Sequence, residues 1–252
     1  MIEQIQLLKY LIGLIFLGYS SFLDLNTRTI PDRLWKFMLL LMIPFILIEL
    51  YYSNFNLMSF MYYLFQVFFI FFFSYTLYYL GLYGGADAKA LIILGLIFPT
   101  YPESYPFPVF GTGFNNFAFS TFSNSLLVMP LLVLLNFIRN LYREGFRGLK
   151  RDFFYYLFGQ KVDAKSIPKF MFLFEYFDCG RLVRGKKSVE PDKVMLETLK
   201  RKAEQGQIDR IWATHAIPFL IFITAGYIIS FIAGDLLYLV ISVLFGLAGF
   251  QY

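Results

Sequence analysis

The sequence predicts an all-α polytopic membrane protein, and three observations carry that expectation. Of the 252 residues, 58% are hydrophobic and only 15% charged, which lies outside the range of ordinary soluble domains. Apolar runs recur at the length a helix needs to cross hydrocarbon, about 20 residues. Charge is also confined, because positions 139–210 hold 17 of the 22 Lys and Arg and 10 of the 17 Asp and Glu. The chain therefore divides into an apolar body, residues 1–138 and 213–252, and a small basic domain, residues 139–212.

Six spans are expected in order: Ile5–Leu23, Leu34–Tyr51, Leu57–Leu80, Gly81–Pro99, Phe117–Ile138 and Ala213–Gly234. The first has Glu3 ahead of Lys9 and no convincing small-x-small site behind it, so it reads as a retained span rather than a signal peptide. Pro130 falls inside the fifth, where proline kinks helices. A last run, Leu236–Phe250, is short for a crossing and stays unassigned among a tilted span, a re-entrant piece and an interfacial tail.

Basic loops stay cytoplasmic. The loop DLNTRTIPDRLWK carries Arg28, Arg33 and Lys36, and the 139–212 domain carries most of the remaining positive charge. YYSNFN has no charge and TYPESYPFPVFGTGFNN has only Glu103. Both signals predict an N-terminus outside and a cytoplasmic polar domain placed between spans five and six.

That topology brings two acids to the inner boundary. Asp24 ends span one and Asp87 opens span four. If the fourth helix starts near Gly81, Asp87 lies about 9 Å inside it at 1.5 Å per residue; if it starts after the glycines, Asp87 sits at its mouth. An ionisable group in a span is costly and marks a pathway or a site. Two carboxylates brought together share a proton, so that one acts as base toward water and the other as acid toward a carbonyl oxygen. Which aspartate is the base stays open. Gly84, Gly85 and Ala86 carry almost no side chain, so a neighbouring helix or an extended substrate can approach Asp87; a plain tight turn explains the same run. Lys89 points to the headgroups rather than to Asp87, two residues away. Pro31 is placed at the first position of span two.

At these residues the sequence resembles the GxGD-type intramembrane aspartyl peptidases, in the branch of bacterial type IV prepilin peptidases and archaeal preflagellin (prearchaellin) peptidases. SFLDLNTRTIPDRL is similar to the family's first catalytic segment, an aspartate at a helix end with an Ile-Pro pair behind it. GGADAKALI is similar to the second, Gly-x-Gly-Asp-x-Lys-Leu, with Ala86 in place of the second glycine and Ala90 in place of the leucine. The Ala86 departure, six spans and no four-cysteine zinc loop favour the archaeal branch.

The resemblance implies an aspartyl endopeptidase with Asp24 and Asp87 as catalytic residues and Gly84, Gly85, Ala86, Lys89 and Pro31 as supporting motif. It implies membrane-anchored precursors with short basic leaders as substrates, cut on the cytoplasmic side, and neither metal nor cofactor. The rival is an ion-coupled transporter or channel using the same two acids, which the lack of an internal repeat weakens.

In the polar domain, VEPDKVMLETLKRKAEQ reads as an amphipathic helix started by Pro191, with Val194, Leu196, Leu199 and Ala203 on one face. Its basic character suits anionic lipid at the inner leaflet better than nucleic acid, because aromatics do not interleave the basic run. Glu190, Asp192, Glu197 and Glu204 are weak candidates for leader contacts. Cys179, the single cysteine, excludes an internal disulfide and reads as a packing residue. His215 is read as interfacial at the start of span six.

Overall fold

The structure is a computed structural model that describes residues 2–52, 57–102, 107–178, 180–215 and 218–247. Cys179, Glu103 and Phe250 lie outside the described residues. The element order is α1 (Ile2–Thr27), α2 (Asp32–Tyr52), α3 (Leu57–Tyr79), α4 (Gly85–Ile97), α5 (Phe117–Glu144), α6 (Leu149–Phe158), β1 (Gln160–Asp163), β2 (Met171–Asp178), β3 (Arg181–Val189), α7 (Lys193–Glu204), β4 (Arg210–His215), α8 (Phe219–Ile232) and α9 (Leu236–Leu247). Two compact units result, one of residues 1–129 with 218–252 and one of residues 130–217.

The first unit is built from apolar helices. Helices α1, α2, α3 and α5 are long and apolar enough to cross a bilayer, and α8 with α9, bent by 62°, provides up to one more. The chain is thus built as a multi-pass membrane protein. The fourth expected span is shorter than foreseen: α4 has 13 residues, about 20 Å at 1.5 Å per residue against about 30 Å of hydrocarbon. It compensates by being enclosed, packing against α3, α2 and α8 with Ala90, Leu91, Leu94 and Ile97 fully buried. Small residues permit the close approaches: a Cβ on Gly95 would collide with Ile70 of α3, and one on Gly226 of α8 would collide with the Thr121 carbonyl of α5. The break between α8 and α9 falls at Gly234, whose φ of +97° suits only glycine readily.

The second unit corrects the all-α expectation. It contains a four-stranded antiparallel sheet in the order β1-β4-β2-β3. One cluster joins Leu199 and Ala203 of α7 to Met171, Leu173, Ile211 and Ala213 of the sheet. Another joins Tyr155 and Tyr156 of α6 to Phe174 and Trp212. Helices thus cover the sheet on both sides, and strands buried on both faces read as continuous apolar runs. That is why Ala213 looked like the start of span six. It lies in β4, as does His215, and α8 begins six residues later, at Phe219. The amphipathic helix is present as α7, capped by Asp192, which accepts a bond from the Met195 N–H at 2.7 Å. Val194 is exposed rather than on the buried face.

Candidate active site

The two motif aspartates come from separate helix ends. Helix α1 carries Asp24 one turn before its end at Thr27, where Arg28 takes a left-handed φ of +57° and turns the chain toward Pro31. Arg28 lies close enough to act on the Asp24 carboxylate electrostatically. Pro31 sits one position before α2, and its carbonyl accepts from the Leu34 N–H at 3.0 Å, so it caps the helix rather than opening it.

Asp87 is the third residue of α4, which starts at Gly85, the second of the two glycines, so the acid sits at its mouth. Its Oδ2 accepts the backbone N–H of Gly84 at 3.2 Å, an arrangement in which an early carboxylate satisfies a donor that the helix leaves free. Oδ1 is buried and has no hydrogen-bond partner. Gly84 has φ −71°, which any residue adopts. Its need for a small side chain is spatial, since a Cβ there would stand 3.0 Å from Asp87 Oδ2. What comes close to Gly84 is therefore the aspartate's own carboxylate, and beside Gly85 the ring of Tyr78, 3.5 Å from where its Cβ would be. Ala86 is half-buried in the same first turn.

The structure brings Asp24 and Asp87 within electrostatic reach of each other. The antiparallel run of α1 and α4 explains why. At the other end of α1, the Lys9 ammonium lies 4.8 Å from the centre of the Phe98 ring, just past α4. Asp24 is about 22 Å further along α1 and Asp87 about 16 Å back along α4. Asp24 is half-buried and Asp87 buried. A buried carboxyl with one unpartnered oxygen, within electrostatic reach of a second, more accessible carboxyl, is an arrangement in which one group stays protonated more readily while the other is ionised. Among the described residues, no three His, Cys, Asp or Glu side chains converge as metal ligands do.

Three relationships escaped the sequence. Lys89 donates to Asp32 Oδ1 at 2.6 Å and so joins the second motif to the first. Tyr83 lies within electrostatic reach of Asp87, its ring stacked on Phe219 at 4.6 Å and edge-on to Phe122 at 5.6 Å. Two further acids of the bundle are occupied elsewhere: Glu49 binds Lys9 and Gln6, and Asp235 accepts from Ser120 and from the Tyr238 N–H.

Residues 11–141, which contain both aspartates, match the type IV leader peptidase family. The chain belongs to that family. Residues 151–236 match the archaeal peptidase A24 C-terminus, type II. Three relatives, each named preflagellin peptidase, align over most of the chain. The protein of Methanococcus maripaludis is 25% identical over 243 residues, covering 91% of this chain and 96% of that protein. That of Methanococcus voltae is 27% identical over 243 residues, with the same coverage of 91% and 96%. That of Methanocaldococcus jannaschii is 26% identical over 253 residues, covering 96% and 100%. Family and relatives together mark this leader peptidase as a protease that processes leader peptides.

Proposed function

We propose that the chain is a membrane aspartyl endopeptidase that removes short basic leaders from preflagellin- and prepilin-like precursors at the cytoplasmic face. Asp24 and Asp87 form the dyad. One takes a proton from the attacking water while the other gives one to the scissile carbonyl oxygen, and the roles reverse as the amine leaves. The observation that supports this reading is that Asp24 of α1 acts electrostatically on Asp87 of α4, which has an unpartnered buried oxygen, and that both lie inside the segment that matches the family.

The N-terminus faces outside and the 139–212 region is the cytoplasmic domain, following the distribution of basic residues. Three acids of that domain are held in ion pairs: Arg184 bridges Asp152 at 2.8 Å and Glu175 at 2.9 Å, and Glu144 holds Arg210 and Lys161. Exposed Arg181, Lys186 and Lys187 on the edge strand β3, with Lys193, Lys200 and Arg201 on α7, face anionic lipid.

The test is to incubate the purified protein, in lipid, with a preflagellin-type precursor and determine the new N-terminus by mass spectrometry. Release of the leader at one bond is expected. An intact precursor under conditions where the protein is folded overturns the reading and leaves ion transport to be assayed.

A further inference from the structure

An ion pair joins the two motif segments, between groups to which the proposed reaction assigns no proton transfer. Asp32 is the first residue of α2, directly behind Pro31, and Lys89 stands two residues past Asp87 on α4. Their side chains meet at 2.6 Å while remaining about half exposed, Lys89 at 49% and Asp32 at 65%. An exposed pair of this kind adds little to stability. Its geometric effect is larger. Asp24 is joined to Asp32 by a short turn held by local bonds, with Thr27 Oγ1 donating to the carbonyl of Leu23 at 2.9 Å and the Arg28 N–H to that of Asp24 at 3.2 Å. Asp87 and Lys89 share the first turns of α4. A contact between Asp32 and Lys89 therefore ties the turn that follows Asp24 to the helix that carries Asp87.

We propose that Asp32 and Lys89 form a clasp that holds the Asp24 and Asp87 carboxylates at their working separation, so that Asp32 is a positioning residue for the dyad. This rests on the peptidase reading above. The charged groups around the dyad fit such a role. Arg28 acts on Asp24 and Lys36 acts on Asp32, yet Lys89 is the partner that reaches Asp32 from the helix carrying Asp87. Because reacting groups displaced by about 1 Å lose on the order of 100-fold in rate, a pair that adds little stability still affects turnover.

The experiment is a double-mutant cycle on precursor cleavage, with Asp32→Asn, Lys89→Met and both together, and with Lys89→Arg as the conservative control. Each single variant is expected to lower kcat by about three- to fivefold, with KM and the melting temperature unchanged. Since both remove one contact, the double variant should be no slower than the slower single. Lys89→Arg keeps the bridge and should recover most of that loss. Single variants that cleave at the parental rate overturn the clasp, and so do losses that multiply in the double variant. A parent protein that cleaves no precursor refutes the peptidase reading instead, and the two failures are thereby distinct.

Discussion

Gly95 of α4 lies flush against Ile70 of α3, so closely that a single added methyl group would enter the space of the isoleucine's Cγ2. This contact fixes how far the short helix can slide along its neighbour, and with it the depth of Asp87 at the helix mouth. Overpacking a tight core contact costs about 1–3 kcal/mol. Gly95→Ala is therefore expected to lower the melting temperature in detergent. An unchanged melting temperature for this variant would show that α3 and α4 yield more readily than this packing implies.

At the opposite end of α1, the ammonium of Lys9 is buried and paired with Glu49 of α2, which also accepts from Gln6 at 2.8 Å. Removing one member of a buried pair strands the other and costs about 3–5 kcal/mol, whereas replacing both by apolar residues is near neutral. Glu49→Gln should be markedly less stable than the parent. Lys9→Met with Glu49→Leu should melt close to it. Equal losses in the single and double variants would mean that the pair stabilises the bundle in its own right.

In the second unit, burial pushes the Asp152 carboxyl up, but hydrogen bonds from Arg184 and Arg151 and their charges outweigh it and hold the group below the usual carboxylate range. A depressed native pKa adds stability that is fully present above the unfolded value, about 3.9, and is lost as pH falls through the native value. The parent should therefore lose stability on acidification below about pH 4. Asp152→Asn should be about 2 kcal/mol less stable at pH 7, discounted for the partial exposure of Arg184, and should show a flatter acid limb. Calorimetry of the full protein between pH 3 and 7 measures both.

Much of the bundle was legible because its signal is local. Hydrophobic runs placed α1, α2 and α3 to within a few residues, and the basic insert stood out by charge alone. The same signal misread two places. Gly81–Pro99 is long enough in apolar residues to cross, yet the chain turns at Gly81, with φ +69°, and α4 starts only at Gly85. Ile211 to Ala213 is as apolar as a span because helices cover its sheet on both faces. At the candidate site, the motifs that carry Asp24 and Asp87 stood out in the sequence, whereas the Lys89 to Asp32 bridge did not. Nothing in one sequence says which helix ends are neighbours, so Lys89 read as reaching for the lipid headgroups, whereas α2 and α4 lie side by side and give it Asp32.

Single-turnover cleavage of a preflagellin-type precursor by Asp24→Asn, Asp87→Asn and the double variant tests the dyad most directly. Asparagine keeps the size of each side chain and removes its proton chemistry. The two-carboxylate mechanism predicts a loss of at least about 1,000-fold in each single variant and little further loss in the double, because the pair acts as a unit. Cleavage within about tenfold of the parent by either properly folded single variant would contradict it.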